Sequence, residues 1–259
     1  MGQCTSKAFG GGALLQKNPV GGGRGEEGGE TAPAPSSPLG TPHPSAGNKR
    51  PSLLKEAEPE DTAVSPVPGG STKVTSKVAL GAGCYWGTEK FMSKSFPKQP
   101  NLPEGNILSG AVGFMGPVES PENPSYEDVC TGKTGHVEVY HLEYVGGNEF
   151  FEAIIRYFFS FHDPTTLNRQ GNDSGTQYAS VVYCYNQQQV DIVNRVKSEL
   201  QSLINSGAGK KLYQSVRVST DVRLVGSPFY PAHEAHQDYL SKNPTGYCNH
   251  SPRLIPWGA

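Results

Sequence analysis

One residue in three of the first 72 is Gly or Pro (14 Gly and 10 Pro), and Phe9 is the only aromatic side chain there. A segment so poor in large apolar groups cannot bury enough surface to offset the roughly 1–2 kcal/mol of backbone entropy lost per ordered residue. Residues 1–72 are therefore expected to form a disordered Gly/Pro-rich arm, which leaves folding to residues 73–259. That remainder holds the other 23 aromatics and nearly all the Val, Ile and Leu runs, enough for one domain with a sizeable core.

Lys and Arg number 22 against 24 Asp and Glu, a net charge of −2, and no basic stripe points to a nucleic-acid partner. No apolar run approaches the ~20 residues that cross a bilayer, and the N-terminus has neither the h-region of a secretory signal nor the Arg-rich composition of a transit peptide. The expected compartment is the cytoplasm, with an organelle left open because the arm can hide an unusual signal. Five scattered cysteines, Cys4, Cys84, Cys130, Cys184 and Cys248, argue against a disulfide framework and for individually reactive thiols. Met1-Gly2-Gln3-Cys4-Thr5-Ser6 fits myristoylation of Gly2. Cys4 could then take the second acyl chain that turns marginal membrane binding into a stable anchor. Peripheral membrane attachment is the expectation, and a plain disordered spacer is the alternative.

Lys77 to Ala82 reads as a short buried strand that turns through Gly83-Cys84 into a helical stretch reaching about Ser95. Pro97 to Gly105 is a loop, and Ile107 to Phe114 returns as a strand. His136 to Val145 alternates, with Val137, Val139 and His141 on one face and Glu138, Tyr140 and Leu142 on the other. Helical spacing covers Asn148 to Phe161 and Gln187 to Ile204, with strands at Gln177 to Tyr185 and Ser215 to Val225 and a short helix at His233 to Leu240. This order predicts a two-layer α+β sandwich, a ferredoxin-like mixed sheet with helices packed on it. Such an architecture hosts many chemistries and names none.

Gly83-Cys84-Tyr85-Trp86-Gly87 carries the most chemical information. A thiol at the start of a helix meets unpaired N–H groups and the positive dipole end, which favour thiolate. Two aromatics beside the sulfur suit a substrate with a small apolar group, the plainer reading being a buried cysteine in a tight turn.

The chain resembles the peptide methionine sulfoxide reductases of the A type, specific for the S epimer, over roughly residues 76 to 250. The resemblance rests on Gly83-Cys84-Tyr85-Trp86-Gly87, on Asn123-Pro124-Ser125-Tyr126 with Val129-Cys130, and on Thr134-Gly135-His136-Val137-Glu138. It continues through His162-Asp163-Pro164, Gly171-Asn172-Asp173-Ser174-Gly175-Thr176-Gln177-Tyr178, His236-Gln237-Asp238-Tyr239 and Gly246-Tyr247-Cys248. It implies that Cys84 attacks the sulfoxide sulfur and becomes a sulfenic acid while Glu138, its pKa raised by burial, protonates the departing oxygen. Tyr126 and Tyr178 would bind that oxygen, Tyr85 and Trp86 would receive the methyl group, and Asp173 would lie near the substrate amide. Tyr239 is a weaker match.

The resemblance also implies that Cys248 resolves the sulfenic acid into a Cys84–Cys248 disulfide that thioredoxin reduces, which would make the protein a cofactor-free monomeric enzyme repairing oxidised methionine, free or in proteins. Cys248 is expected to reach Cys84 through the mobility of a nonperiodic tail, and Cys130 and Cys184 to be inert core thiols. The chain departs from the family at Tyr85, usually Phe, at Val112-Gly113-Phe114-Met115-Gly116-Pro117, in its longer Pro97 to Gly105 loop, and in ending Pro256-Trp257-Gly258-Ala259 without a further cysteine. Three rival readings use the same residues. They are a cysteine hydrolase with His136 or His233 as base, a metal site of His233, His236 and Cys248, and a non-catalytic adaptor that binds oxidised methionine.

Overall fold

A computed structural model of the chain describes residues 74–207 and 211–257. The arm, with Gly2 and Cys4, lies outside the described residues. In chain order the elements are β1 (Thr75–Ala82), α1 (Tyr85–Glu89), β2 (Gly105–Met115), α2 (Tyr126–Cys130), β3 (Val137–Gly146), α3 (Asn148–Phe161), β4 (Arg169–Gln170), β5 (Asp173–Ser174), β6 (Ser180–Cys184), α4 (Gln187–Asn205), β7 (Asp221–Leu224), β8 (Tyr230–Pro231) and α5 (Tyr239–Lys242).

The main sheet runs β7-β6-β1-β3-β2-β8, antiparallel throughout except for the parallel β6–β7 pair. Its central order, β6-β1-β3-β2, interleaves two β-α-β crossovers, as the expected ferredoxin-like sandwich requires. Both faces of β3 are buried, which the alternation in the sequence anticipates. Tyr140 and Leu142 join the helix-covered core with Phe150, Phe151, Ile154 and Phe158 of α3 and Val193, Val196 and Leu200 of α4. Val137 and Val139 join a smaller cluster with Ala79, Met115, Val181 and Tyr183, lidded by Val225 and Phe229.

Three elements differ from their expected form. The helix after Cys84 is α-helical only to Glu89, then widens into a π-helical turn over Lys90–Ser95 and tightens to a 3-10 turn at Phe96–Lys98, where Pro97 cannot donate a backbone bond. The strand expected over Ser215 to Val225 shrinks to β7, because Gln214 and Ser215 donate their N–H groups to Asp163 and Thr165 and Ser219 donates to the Pro164 carbonyl. The helix expected over His233 to Leu240 breaks at Asp238. This residue adopts a left-handed φ of 54° and donates its N–H to Glu89 Oε1 at 3.0 Å, leaving a 3-10 turn at Glu234–His236 and the separate α5.

Candidate active site

Chain entry into α1 is set by Gly83, whose φ of +89° suits glycine and whose missing Cβ would lie 2.4 Å from Gln170. This turn leaves Cys84 in the N-cap position, with two of the first amide donors of α1 near a reacting group. The Trp86 N–H points toward the Cys84 sulfur and lowers its pKa, while the Tyr85 N–H donates to Glu138 Oε2 at 3.1 Å. Glu138 comes from β3, opposite Phe114 of β2, on the same face as Tyr140 and Leu142.

Burial decides the protonation of both groups. Glu138 is 3% exposed, and desolvation pushes its carboxyl up to about 8 against the opposing Tyr85 hydrogen bond. The expectation of a resting thiolate is not met: burial, then the neighbouring Glu138, push the Cys84 thiol well above its ordinary range. A five-residue helix has too little dipole to reverse that, and one of its free amides is given to the Glu138 carboxyl. The site therefore holds a thiol beside a carboxylic acid at neutral pH.

Around this pair the structure gathers the tyrosines named from the sequence. Tyr126 is the first residue of α2, delivered by a capping box in which the Ser125 hydroxyl accepts the Asp128 N–H and the Asp128 carboxylate accepts the Ser125 N–H. Tyr178 closes the 3-10 turn before β6. Its hydroxyl pKa is raised by burial and then by Glu138, Asp173, Cys84 and Tyr126, so it lies within their field. Trp86 stacks on Tyr239, the first residue of α5 after the break at Asp238, with ring centroids 3.8 Å apart. Tyr85 is 1% exposed, and its hydroxyl meets His236 Nδ1 at 2.9 Å. Asp173 is half-buried and accepts from Asn249 Nδ2 at 2.7 Å, and burial raises its pKa.

Cys248 does not lie in a free tail. On its C-terminal side, Asn249 donates to the Gln170 carbonyl and to Asp173, His250 Nε2 donates to the Ala82 carbonyl at 2.7 Å, and the Ser251 and Arg253 N–H groups reach the carbonyls of Phe161 and Ser160. Cys248 packs against the core cluster that contains Cys84, and the two sulfurs are close enough to couple electrostatically. Both are free thiols here. Cys184 is fully buried, its thiol pushed up to about 12 by desolvation, whereas Cys130 stands half-buried at the end of α2 rather than in the core.

His236, Asn249 and His250 are site residues that the sequence reading did not assign to this chemistry. His236 touches Tyr85, Trp86 and Tyr126 at once. Nothing in the sequence marks these contacts, although the second glycine of the Gly83-to-Gly87 motif hints at a close neighbour. The rival uses of histidine are placed elsewhere: His233 caps its own 3-10 turn by accepting the Ala235 N–H, and His136 packs edge-on against Tyr230. Among the described residues, no group of three or more His, Cys, Asp or Glu side chains is arranged to hold a metal ion.

A family model described as peptide methionine sulfoxide reductase matches residues 76–255. The chain is 35% identical over 223 residues to the peptide methionine sulfoxide reductase MsrA of Corynebacterium kroppenstedtii, covering 84% of this chain and 93% of the relative. It is 40% identical over 187 residues to the mitochondrial peptide methionine sulfoxide reductase of Rattus norvegicus, covering 71% and 70% respectively. The crystal structure of Mxr1 from Saccharomyces cerevisiae in reduced form superposes with a TM-score of 0.58 at 31% identity, covering 70% of this chain and 93% of that one. A matched segment that includes every element of the sheet, from the β1 strand to the residues beyond Cys248, leaves one conclusion: the chain belongs to the peptide methionine sulfoxide reductase family.

Proposed function

We propose that this chain reduces the S epimer of methionine sulfoxide, free or within proteins, to methionine, with Cys84 as nucleophile and Glu138 as proton donor. The observation that carries this reading is the buried contact between Glu138 and the first amide of α1, which sets a carboxylic acid beside Cys84. A sulfoxide oxygen is a strong acceptor that becomes a good leaving group only when protonated, and a carboxyl with a pKa near 8 still carries its proton at pH 7. Tyr126 and Tyr178 would donate to that oxygen. Trp86, stacked on Tyr239, and Tyr85 would receive the methyl and methylene groups. The sulfoxide sulfur is reduced to the thioether, and the Cys84 sulfur is oxidised to a sulfenic acid that takes up the oxygen.

Asp173 would accept from the substrate amide. Cys248 is the proposed resolving thiol. The resulting disulfide is a substrate for thiol exchange with a dithiol, and thioredoxin is the proposed donor. Gly2 and Cys4 are proposed acylation positions that would hold part of the protein on the cytoplasmic face of a membrane. An unmodified N-terminal mass from protein made in its own cells would refute this. Among the described residues no helix is long and apolar enough to cross a membrane.

Turnover of the separate S and R epimers of a methionine sulfoxide peptide, with dithiothreitol and with thioredoxin, tests the reading. The wild type is expected to turn over S alone with both reductants, Cys84→Ser to be inactive, and Cys248→Ser to lose chiefly the thioredoxin-supported cycle. Equal use of both epimers, or a fully active Cys84→Ser, would overturn it.

A further inference from the structure

The reductase reading leaves open how Cys248 loses its proton. His250 is tied down at one nitrogen, Nε2, which lies 2.7 Å from the carbonyl oxygen of Ala82 at the end of β1. A carbonyl can only accept, so Nε2 carries the hydrogen, and the neutral ring's lone pair is at Nδ1. That nitrogen faces the Cys248 sulfur at 4.0 Å, within reach of a thiol hydrogen bond. The ring is 8% exposed and packs between Phe91 and Phe161.

The place of this ring also accounts for the second glycine of the Gly83-to-Gly87 motif. A Cβ on Gly87 would lie 1.9 Å from His250 Nδ1, so any other residue there would displace the nitrogen that meets Cys248. The helix that presents Cys84 at its start is thus hollowed, three residues later, for the imidazole beside the second thiol.

We infer that His250 is a catalytic residue of the resolving step: its Nδ1 accepts the Cys248 thiol proton as that sulfur attacks the Cys84 sulfenic acid, while its Nε2–H on Ala82 fixes the tautomer. The step balances without a further reactant. The sulfenic S–O bond breaks and the Cys84–Cys248 bond forms, the Cys84 sulfur being reduced and the Cys248 sulfur oxidised. The proton held at Nδ1 passes to the departing oxygen, which leaves as water.

Burial, with Arg253 on the same segment, pushes His250 down to about 4, so the ring is neutral with its lone pair open near pH 7, and it holds the proton only in passing before the departing oxygen takes it. His162, the other titratable ring that senses His250, is also held neutral by burial.

This inference rests on Cys248 being the resolving thiol, and the test separates the two. His250→Gln keeps an amide donor for Ala82 and replaces the basic Nδ1 with an amide oxygen that cannot take up the thiol proton. Mixed with a methionine S-sulfoxide peptide in the absence of reductant, each enzyme is sampled for methionine peptide, which reports the first step, and for the Cys84–Cys248 disulfide by alkylation and mass spectrometry, which reports the second. At pH 7 the variant's second step is expected to fall at least ten-fold relative to its first. Both steps slowed by one factor, or neither slowed, would overturn the role of His250. A wild type that makes one equivalent of methionine but never this disulfide would overturn the resolving role of Cys248 itself. Should the variant not fold, ¹⁵N-histidine spectra of the unaltered reduced enzyme decide: a bare Nδ1 and protonated Nε2 from pH 5 to 8 are expected, and the opposite tautomer would overturn the inference.

Discussion

Glu138 serves the proposed first step only while it keeps its proton, so single-turnover methionine formation is expected to fall as pH rises through about 8. The same burial bears on stability. A carboxyl whose folded pKa lies above its unfolded value favours the fold fully below the unfolded pKa, and that contribution is lost as pH rises through about 8. Glu138→Gln keeps an acceptor for the Tyr85 N–H and removes the buried charge. Methionine formation should slow by roughly 10²- to 10⁴-fold, the usual weight of a positioned acid. Thermal unfolding of the variant, compared with wild type at pH 5 and pH 9, should show a relative gain at pH 9, and a variant that loses ground there would show that the carboxylate is not buried as described. At this scale the sequence was legible where a motif is contiguous, as in Gly83 to Gly87. His236, Asn249 and His250 were not, because what they do depends on what faces them from elements up to 168 positions away.

The elements read most easily from the sequence are those that bury a periodic stripe, and the Phe and Ile spacing of α3 set its observed limits, Asn148–Phe161. The short elements were illegible because single hydrogen bonds, not periodicity, create them: the Asp238 bond to Glu89 splits the expected helix, and the side chains of Asp163 and Thr165 divert the chain before β7. Two predictions belong to this scale. Gly87→Ala should force His250 off Ala82 or bend α1, an overpacking cost of about 1–3 kcal/mol measurable by urea unfolding. Its disulfide-forming step should slow along with stability, and an unchanged midpoint would mean that the ring moves aside freely. On the outer face, Glu152 of α3 bridges Arg156 and Arg195, and those cations hold its carboxyl down to about 2. Its contribution is present above the unfolded carboxylate pKa and lost as pH falls toward 2. Since Arg195 is half exposed, solvent screening limits it, and Glu152→Gln should cost about 1 kcal/mol at low salt and less in 1 M NaCl.

Across the whole molecule, the site is assembled from both ends of the described chain. Cys84 follows the first strand, and the segment after Cys248 returns to that strand at Ala82, to α3 at Ser160 and Phe161, and to β4 at Gln170. These closures span 79 to 168 positions of sequence, so each must offset a sizeable loop-closure entropy. The composition of this last segment announces a loop, because its bonds are made by backbone and amide groups that leave no hydrophobic period. Its removal separates what the segment does from what the sheet does. Ending the chain after Cys248 deletes the anchors of Asn249, His250, Ser251 and Arg253 and the Arg156 contact over Trp257, and it uncovers Phe91 and Phe161. At about 1 kcal/mol for each of these five hydrogen bonds plus the apolar area exposed, the expected loss is about 5 kcal/mol or more, read as a lowered urea midpoint. Where the truncated chain still folds, Cys84 and Glu138 keep their contact through β1, α1 and β3, so methionine should still form once per enzyme. Closure of the disulfide should fail, because nothing then holds Cys248 at its place. Disulfide formation at the wild-type rate after truncation would mean that Cys248 finds Cys84 by diffusion of a loose end, and that the fastened segment serves stability alone.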